Sequence, residues 1–282
     1  MKNEFYIGWM PKAPAGFAKH VKKVLLILFP LALIIGLMLA SFQKKFSTGN
    51  FEFGKITELK GIYFNSPVPM LRVLNGKDIF GNVSYTSIPL VGYGKHGAET
   101  AIMELEKEKD VSFNGKELTL KGTLIYSDGK ILLQVNKDDD PVVNIGKEVA
   151  AELPKQNELG IQKIKGEIID PKCYFGVMKP GEGKVHRDCA IRCILGGIPP
   201  VLKAMNEKGE KNYYLLVGPN GEKMNEAVQD YVAEPVEIEA RAVQLDDWVI
   251  LYVKDKNIKR ISAISLYKPD VQIASCMSSC IK

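Results

Sequence analysis

Nineteen consecutive residues near the start of the chain carry no charge. Residues 24–42 read VLLILFPLALIIGLMLASF, and a helix of that length, at about 1.5 Å per residue, approaches the roughly 30 Å hydrocarbon core of a bilayer. Pro30 and Gly36 are tolerated within membrane helices. The pattern predicts a transmembrane helix at residues 24–42, preceded by a cytoplasmic segment at residues 1–23.

A cleaved signal peptide is the alternative interpretation of the same stretch. The apolar run begins only at residue 24, and cleavage after Ala40 would place Met38 where a signal peptidase site has a small residue. Both features favour an uncleaved anchor.

Lysines flank the apolar run unevenly. Four lie within residues 12–23, and two follow at residues 44 and 45. An excess of lysine is typical of the cytoplasmic side of a membrane helix, so the N-terminus is expected inside. The protein is therefore predicted to cross the cytoplasmic (inner) membrane once, with the bulk of the chain in the periplasm.

Beyond residue 45, short runs of alternating hydrophobic and polar residues are typical of β-strands. Residues 116–125 and 131–135 flank a turn at residues 127–130, and residues 235–245 and 248–253 form a second such pair. Each pair is the pattern of a β-hairpin.

The likeness between the two hairpins extends upstream and indicates an internal repeat. Leu90-Val91-Gly92 precedes a stretch predicted to be helical at residues 99–109, and Leu216-Val217-Gly218 precedes one at residues 222–232. Residues 56–62 (ITELKGI) likewise match residues 161–167 (IQKIKGE). Any two small β-domains share some strand-turn-strand patterns, but agreement of element order along the whole unit favours a duplication.

Five strands with a helix between the third and the fourth is the layout of an OB-fold barrel. The predicted fold class is therefore mainly β, with the N-terminal transmembrane helix followed by two tandem OB-like domains of five strands and a helix each. Their predicted bounds are residues 46–145 and 158–262, followed by a tail at residues 263–282. The polar stretch at residues 136–159 contains the boundary between the domains.

Composition adds a charge argument. The formal net charge is +5, from 38 Lys and Arg against 33 Asp and Glu. Residues 1–45 hold seven lysines and one glutamate, so the predicted barrels are close to neutral. Nucleic-acid binding requires a basic face on the folded part, and no nucleic-acid partner is expected.

The loop after the first strand of the second repeat holds three of the five cysteines. His186, Cys189 and Cys193 lie within residues 184–195, which are predicted to form a helix, and their spacing places them on one face. Cys173 can close on that face across a Gly- and Pro-rich loop. One imidazole and three thiolates suit zinc, copper or iron, and match a structural zinc set.

Two other interpretations of these cysteines stay open. Outside the cytoplasm cysteines usually pair, and Cys173 can form a disulfide with Cys189 or Cys193. Cys189 and Cys193 are not expected to pair with each other, because side chains one helical turn apart do not converge. Thiol redox chemistry is the third interpretation, although C-x3-C lacks the C-x-x-C spacing of disulfide oxidoreductases.

The run GEIIDPKCYFGVMKPGEGKVHRDCAIRCILGGIPPVL, followed by NYYLLVG, resembles a family of uncharacterised bacterial exported OB-like domains. Members have a strand ending in a Cys-aromatic pair, a G-K-x-H-x-x-C-A helix that carries a further Cys, and a Gly-Gly-x-Pro turn. The resemblance covers about residues 160–255, the second repeat only. It implies that Cys173, His186, Cys189 and Cys193 belong together, and it implies no reaction.

Other motifs are set aside or left open. Residues 92–97 satisfy G-x-G-x-x-G, but a hairpin follows where a dinucleotide site needs a parallel βαβ unit, so no nucleotide cofactor is expected. C-x3-C is not the C-x-x-C-H of covalent haem attachment, so no covalent haem is expected. Cys276 and Cys280 form another C-x3-C, interpreted as an exposed terminus or alternatively as a source of one more ligand or disulfide.

Together these patterns favour a membrane-anchored extracytoplasmic protein with a metal or cofactor site of three cysteines and one histidine. The expected role is an accessory subunit of a membrane redox or metal-handling complex, with other membrane or periplasmic protein subunits as partners. The alternative is a disulfide-stapled structural or partner-binding module without metal. An enzyme ranks third, and no catalytic residue is assigned.

Overall fold

The computed structural model describes residues 12–42, 49–77, 83–149, 156–206 and 208–263. Its N-terminal helix α1 spans Ala15–Phe42 and belongs to one compact unit, while all the strands belong to another. α1 is long and apolar enough to cross a membrane, and none of its residues is buried. The helix begins earlier than the predicted residue 24, directly after Pro14, whose carbonyl oxygen accepts a hydrogen bond from Ala18 N at 2.9 Å.

The first barrel is closed by five strands in the order β5-β2-β3-β4-β6, with β6 pairing back to β5. The elements of this region, in chain order, are β1 Asn50–Phe51, β2 Thr57–Phe64, β3 Met70–Lys77, β4 Val83–Val91, α2 Glu99–Glu108, β5 Lys116–Ser127, β6 Lys130–Gln134 and β7 Val142–Glu148. β1 and β7 pair with β5 outside the barrel path. The amphipathic helix α2 lies between the third and fourth barrel strands and buries Ile102 and Leu105, as the OB-like layout requires.

The second barrel is closed in the order β10-β12-β11-β8-β9. Its elements are β8 Gln156–Ile169, α3 Arg187–Leu195, β9 Val201–Met205, β10 Lys211–Val217, β11 Pro235–Leu245 and β12 Trp248–Arg260. The two mainly β barrels with an N-terminal apolar helix confirm the predicted fold class.

Equivalent contacts in the two barrels support the internal repeat. In each barrel the third and fifth strands pair in parallel, β4 with β6 and β10 with β12. A Cβ on Gly61 would overlap the carbonyl oxygen of Arg72, and one on Gly166 would overlap that of Lys203. These glycines occupy the same position of the two matching sequences, so both barrels bring the same two backbones into close approach.

The helix predicted at residues 222–232 is wrong. The segment consists of turns and a short 3-10 helix at Gln229–Tyr231. Val228 and Val232 are fully buried in the second barrel's core. Asn225 is also buried, and its amide donates to the Ile194 and Ile198 carbonyls at the end of α3 and just beyond it, at 2.6 and 2.9 Å. Tertiary packing therefore overrides the helical propensity of the segment.

The two barrels share a hydrophobic core, to which the first contributes Phe64 and Met70 and the second Phe175 and Trp248. Polar contacts reinforce this interface. Trp248 Nε1 donates to the Ser87 carbonyl at 2.9 Å. The barrels are therefore two parts of one packed body.

A buried ion pair crosses the same interface. Arg72 of β3 donates from Nε and an Nη to the two carboxylate oxygens of Asp246, at 2.7 and 2.8 Å. Both side chains are less than a tenth exposed. The Ser87 hydroxyl adds a third hydrogen bond to Asp246, so the carboxylate is held almost entirely by the first barrel.

Candidate metal centre

The connection between β8 and α3 carries the predicted site residues. Cys173 begins a π-helical turn at Cys173–Val177, whose Tyr174 and Phe175 are buried in the shared core. His186 ends a short 3-10 turn that leads directly into α3. The predicted helix at residues 184–195 is thus a 3-10 turn followed by an α-helix.

The candidate ligand atoms form two overlapping groups. Cys173 Sγ, a ring nitrogen of His186 and Cys189 Sγ all lie within 4.8 Å of one another. A carboxylate oxygen of Asp170, Cys173 Sγ and Cys193 Sγ do so as well. Two ligands on one tetrahedral zinc ion lie roughly 3.5–4 Å apart, given bonds of about 2.0–2.3 Å. The two groups share Cys173 Sγ, so His186, Cys189 and Cys193 each lie near metal-binding distance of Cys173. The four residues Cys173, His186, Cys189 and Cys193 are here called the Cys/His cluster.

The cluster's three cysteines are free thiols in the structure. Cys173 and Cys193 are buried, and Cys189 is partly exposed. Cys276 and Cys280 lie outside the described residues. The cluster thus presents three thiols and one imidazole, a donor set that suits a soft or borderline metal ion.

Two buried polar atoms in this region have no hydrogen-bond partner, His186 Nε2 and Asp170 Oδ2. His186 is 4% exposed and Asp170 is fully buried. A buried polar atom without a partner costs about 1–3 kcal/mol, and more when it is charged. Both residues lie beside thiols that can share an ion, so the cost would be offset by a bound cation.

The first barrel covers one side of the site with its loop at residues 92–97. Lys95 Nζ donates to Cys189 Sγ at 3.2 Å, and Gly97 N donates to the Gly196 carbonyl at 2.9 Å. A Cβ on Gly97 would overlap the carbonyl oxygen of Gly197. Glycine at residue 97 is therefore required for the loop to reach the end of α3.

The same loop holds a second lysine. Lys172, next to Cys173, is 3% exposed. Its Nζ donates to the Gly92 and Gly94 carbonyls, each at 2.7 Å. Burial lowers the Lys172 pKa, and the Asp170 carboxylate opposes this shift. The G-x-G-x-x-G loop thus binds an ammonium group of the second barrel through its carbonyl oxygens.

The electrostatics of the site favour protonated Cys173 and neutral His186. The hydrogen bond with Cys193 and then burial raise the Cys173 pKa, and Asp170 raises it further. Burial lowers the His186 pKa, so the ring is in the form that binds metals. The hydrogen bond to Cys189 raises the Lys95 pKa and keeps its ammonium charged.

The metal-binding form of the site is negatively charged. Metal ligation deprotonates thiols, so three thiolates would lie close to the Asp170 carboxylate, with the Lys95 ammonium beside Cys189. A bound cation would offset this negative charge.

Asp170, Lys95 and Lys172 are the functional candidates that sequence reasoning missed. Asp170 lies three residues before Cys173 and directly follows the buried end of β8, Ile168 and Ile169, a position that could have pointed to it. Lys95 lies 94 residues away from Cys189 along the chain, in the other barrel. Nothing in its local sequence indicates that contact.

No protein family model matches the chain, and no curated protein is significantly similar to it. The resemblance of residues 160–255 to bacterial exported domains therefore stays a prediction.

Proposed function

We propose that this protein is a membrane-anchored, extracytoplasmic metal-binding protein that serves as an accessory subunit of a membrane redox or metal-handling complex. The observation that carries the proposal is the convergence of the Cys/His cluster around Cys173. The partnerless buried atoms His186 Nε2 and Asp170 Oδ2 support it. Zinc, copper and iron are the metals that thiolate and imidazole donors suit.

The proposed location follows from α1 and its lysines. α1 is apolar enough to cross a membrane, and the excess of lysine before residue 24 favours an N-terminus in the cytoplasm. The barrels would then lie in an oxidising compartment, where free thiols tend to pair. A bound metal ion would keep three neighbouring cysteines unpaired there.

A binding role fits the cluster better than catalysis. Cys173, His186 and Cys193 are buried, and Lys95 contacts the partly exposed Cys189. Metal sites in which protein side chains fill all positions are structural or carry the ion, whereas hydrolytic sites keep one position open for water. The proposed subunit would hold an ion for its partners, which are other membrane or periplasmic proteins.

One observation favours a second candidate function, a disulfide-stapled partner-binding module. Cys173 and Cys193 thiols lie within 4.8 Å of each other, so a modest movement would allow a disulfide bond of about 2.0 Å. This bond would join the π-helical turn to α3. His186 and Cys189 would then have no metal ion to bind together.

Metal analysis combined with a thiol count separates the two functions. The full chain is purified in detergent without added metal, and bound metal and free thiols are measured for the wild type, Cys189→Ser and Arg192→Ser. Arg192 is exposed on α3 and serves as the control. One metal ion per chain in the wild type and in Arg192→Ser, lost in Cys189→Ser, is expected. A metal-free wild type with Cys173 and Cys193 oxidised would contradict the metal site.

A further inference from the structure

Asp170 is the least explained side chain near the Cys/His cluster. It follows β8 directly and is fully buried. Its Oδ1 accepts a hydrogen bond from Lys172 N at 2.9 Å, whereas Oδ2 has no partner. Its backbone carbonyl accepts from Tyr174 N at 3.0 Å. The backbone beside the carboxylate is thus fixed, and one oxygen remains unused.

The nearby ammonium group does not explain the orientation of this carboxylate. Lys172 is the closest lysine in sequence, but its Nζ donates to the Gly92 and Gly94 carbonyls of the first barrel. The groups that do lie beside the Asp170 carboxylate are the thiols of Cys173 and Cys193, with ligand atoms within 4.8 Å of one another. The Cys173 thiol hydrogen-bonds with the Asp170 carboxylate, and a cation bound to the deprotonated sulfurs would take the place of this proton.

We infer that Asp170 Oδ2 is a fifth donor to the metal ion, whose binding would draw the Asp170, Cys173 and Cys193 group and the Cys173, His186 and Cys189 group together around their shared Cys173. The inference rests on the proposed function and extends its donor set from three thiolates and an imidazole to three thiolates, an imidazole and a carboxylate. The hydrogen bond from Lys172 N to Oδ1 holds the carboxylate so that Oδ2 is the ligating atom.

A carboxylate donor narrows the choice of metal. Carboxylate oxygen is a hard ligand, which zinc accepts together with sulfur and nitrogen, whereas monovalent copper prefers sulfur. The site is therefore expected to bind zinc or ferrous iron, and cobalt(II) as a spectroscopic substitute, in preference to copper(I).

Asp170→Asn is the variant that tests this inference. Asparagine keeps the Oδ1 acceptor for Lys172 N and replaces Oδ2 with an amide nitrogen that cannot bind a metal. Wild type, Asp170→Asn and the control Asp188→Asn, which changes an exposed acid on α3, are loaded as full chains in detergent with cobalt(II). Their visible absorption spectra are recorded, and zinc affinity is measured by chelator competition.

The expected result is a shifted cobalt absorption and zinc affinity at least about 10-fold weaker in Asp170→Asn alone, since loss of a hydrogen-bond partner of a metal ligand already costs roughly 10–100-fold. An unchanged spectrum, with or without weaker affinity, would overturn the ligand assignment. Failure of the wild type to bind either metal would instead refute the proposed function itself.

X-ray absorption of the zinc-loaded wild type keeps the inference testable if Asp170→Asn does not fold. Three sulfur and two lighter donors are expected around the ion. Three sulfur donors and a single lighter one would exclude Asp170 from the metal.

Discussion

Lys95 shows how a single side chain of one barrel can adjust a site in the other. Its ammonium donates to Cys189 Sγ, the most exposed sulfur of the Cys/His cluster. A hydrogen bond to a metal ligand holds that ligand in position and strengthens metal binding. Lys95 is therefore expected to orient Cys189 and to restrict access to it, without contacting the metal ion.

Replacing Lys95 with methionine removes the charge and the hydrogen bond while keeping an unbranched side chain. We expect Lys95→Met to bind one metal ion with affinity about 10-fold weaker than wild type, as is typical when a metal ligand loses its hydrogen-bond partner. Chelator competition measures this change. The control is Lys184→Met, at an exposed lysine in the 3-10 turn before α3. An equal loss of metal affinity in both variants would show that net positive charge, and not the contact with Cys189, determines the affinity.

At the scale of elements, the site is assembled by a π-helical turn, a helix and a loop from the other barrel. The turn at Cys173–Val177 buries its aromatic side chains in the shared core, and α3 presents two cysteines one turn apart. The loop at residues 92–97 reaches α3 only because its closest residue, Gly97, has no side chain. Close backbone approach thus determines whether Lys95 meets Cys189.

Gly97→Val tests this close approach. The added side chain would overlap the Gly197 carbonyl oxygen and must displace the loop from the end of α3. Overpacking of this kind costs about 1–3 kcal/mol in the free energy of unfolding, and metal affinity should fall as Lys95 moves. Urea unfolding measures the first effect. Thr100→Val, at an exposed position on α2, should change neither quantity by a comparable amount.

The local sequence pattern predicted some of these elements correctly and others wrongly. The alternation at residues 235–245 predicted β11 correctly, because alternation depends on neighbours in sequence. The spacing of His186, Cys189 and Cys193 predicted one shared face, whereas the structure groups His186 and Cys189 with Cys173, and Cys193 with Cys173 and Asp170. The helix predicted at residues 222–232 is wrong because Asn225 binds the carbonyl of Ile194 in α3 and Val228 packs in the barrel core. Local propensity carries no information on such long-range packing.

At the scale of the whole molecule, the first barrel is more than the packing scaffold that its lack of cysteines suggests. It shares a core with the second barrel, binds Asp246 through Arg72 and supplies the loop that holds Lys172. Sequence predicted two barrels but not this interface, because the pairing of Arg72 with Asp246 spans 174 residues. The candidate site therefore depends on residues of both barrels.

The buried pair offers a direct test of this interface. Arg72→Met leaves the Asp246 carboxylate buried without its cationic partner, which is expected to cost about 3–5 kcal/mol in the free energy of unfolding. Arg241 is a matched control. Arg72 lies over the ring of Tyr85, and Arg241 likewise pairs with an acid, Glu158, and lies over a tyrosine ring, but on the surface. Arg241→Met should cost about 0–1 kcal/mol. Similar losses in the two variants, measured by urea unfolding, would contradict a buried interface between the barrels.

Anomalous X-ray diffraction from crystals of the metal-loaded protein tests the central claim most directly. Data collected at the absorption edge of the bound metal should show one anomalous peak within the Cys/His cluster, about 2.3 Å from the sulfurs and about 2.0–2.1 Å from the His186 nitrogen if the ion is zinc. Absence of a peak there, with continuous density between the sulfurs of Cys173 and Cys193, would contradict the metal site and establish a disulfide in its place.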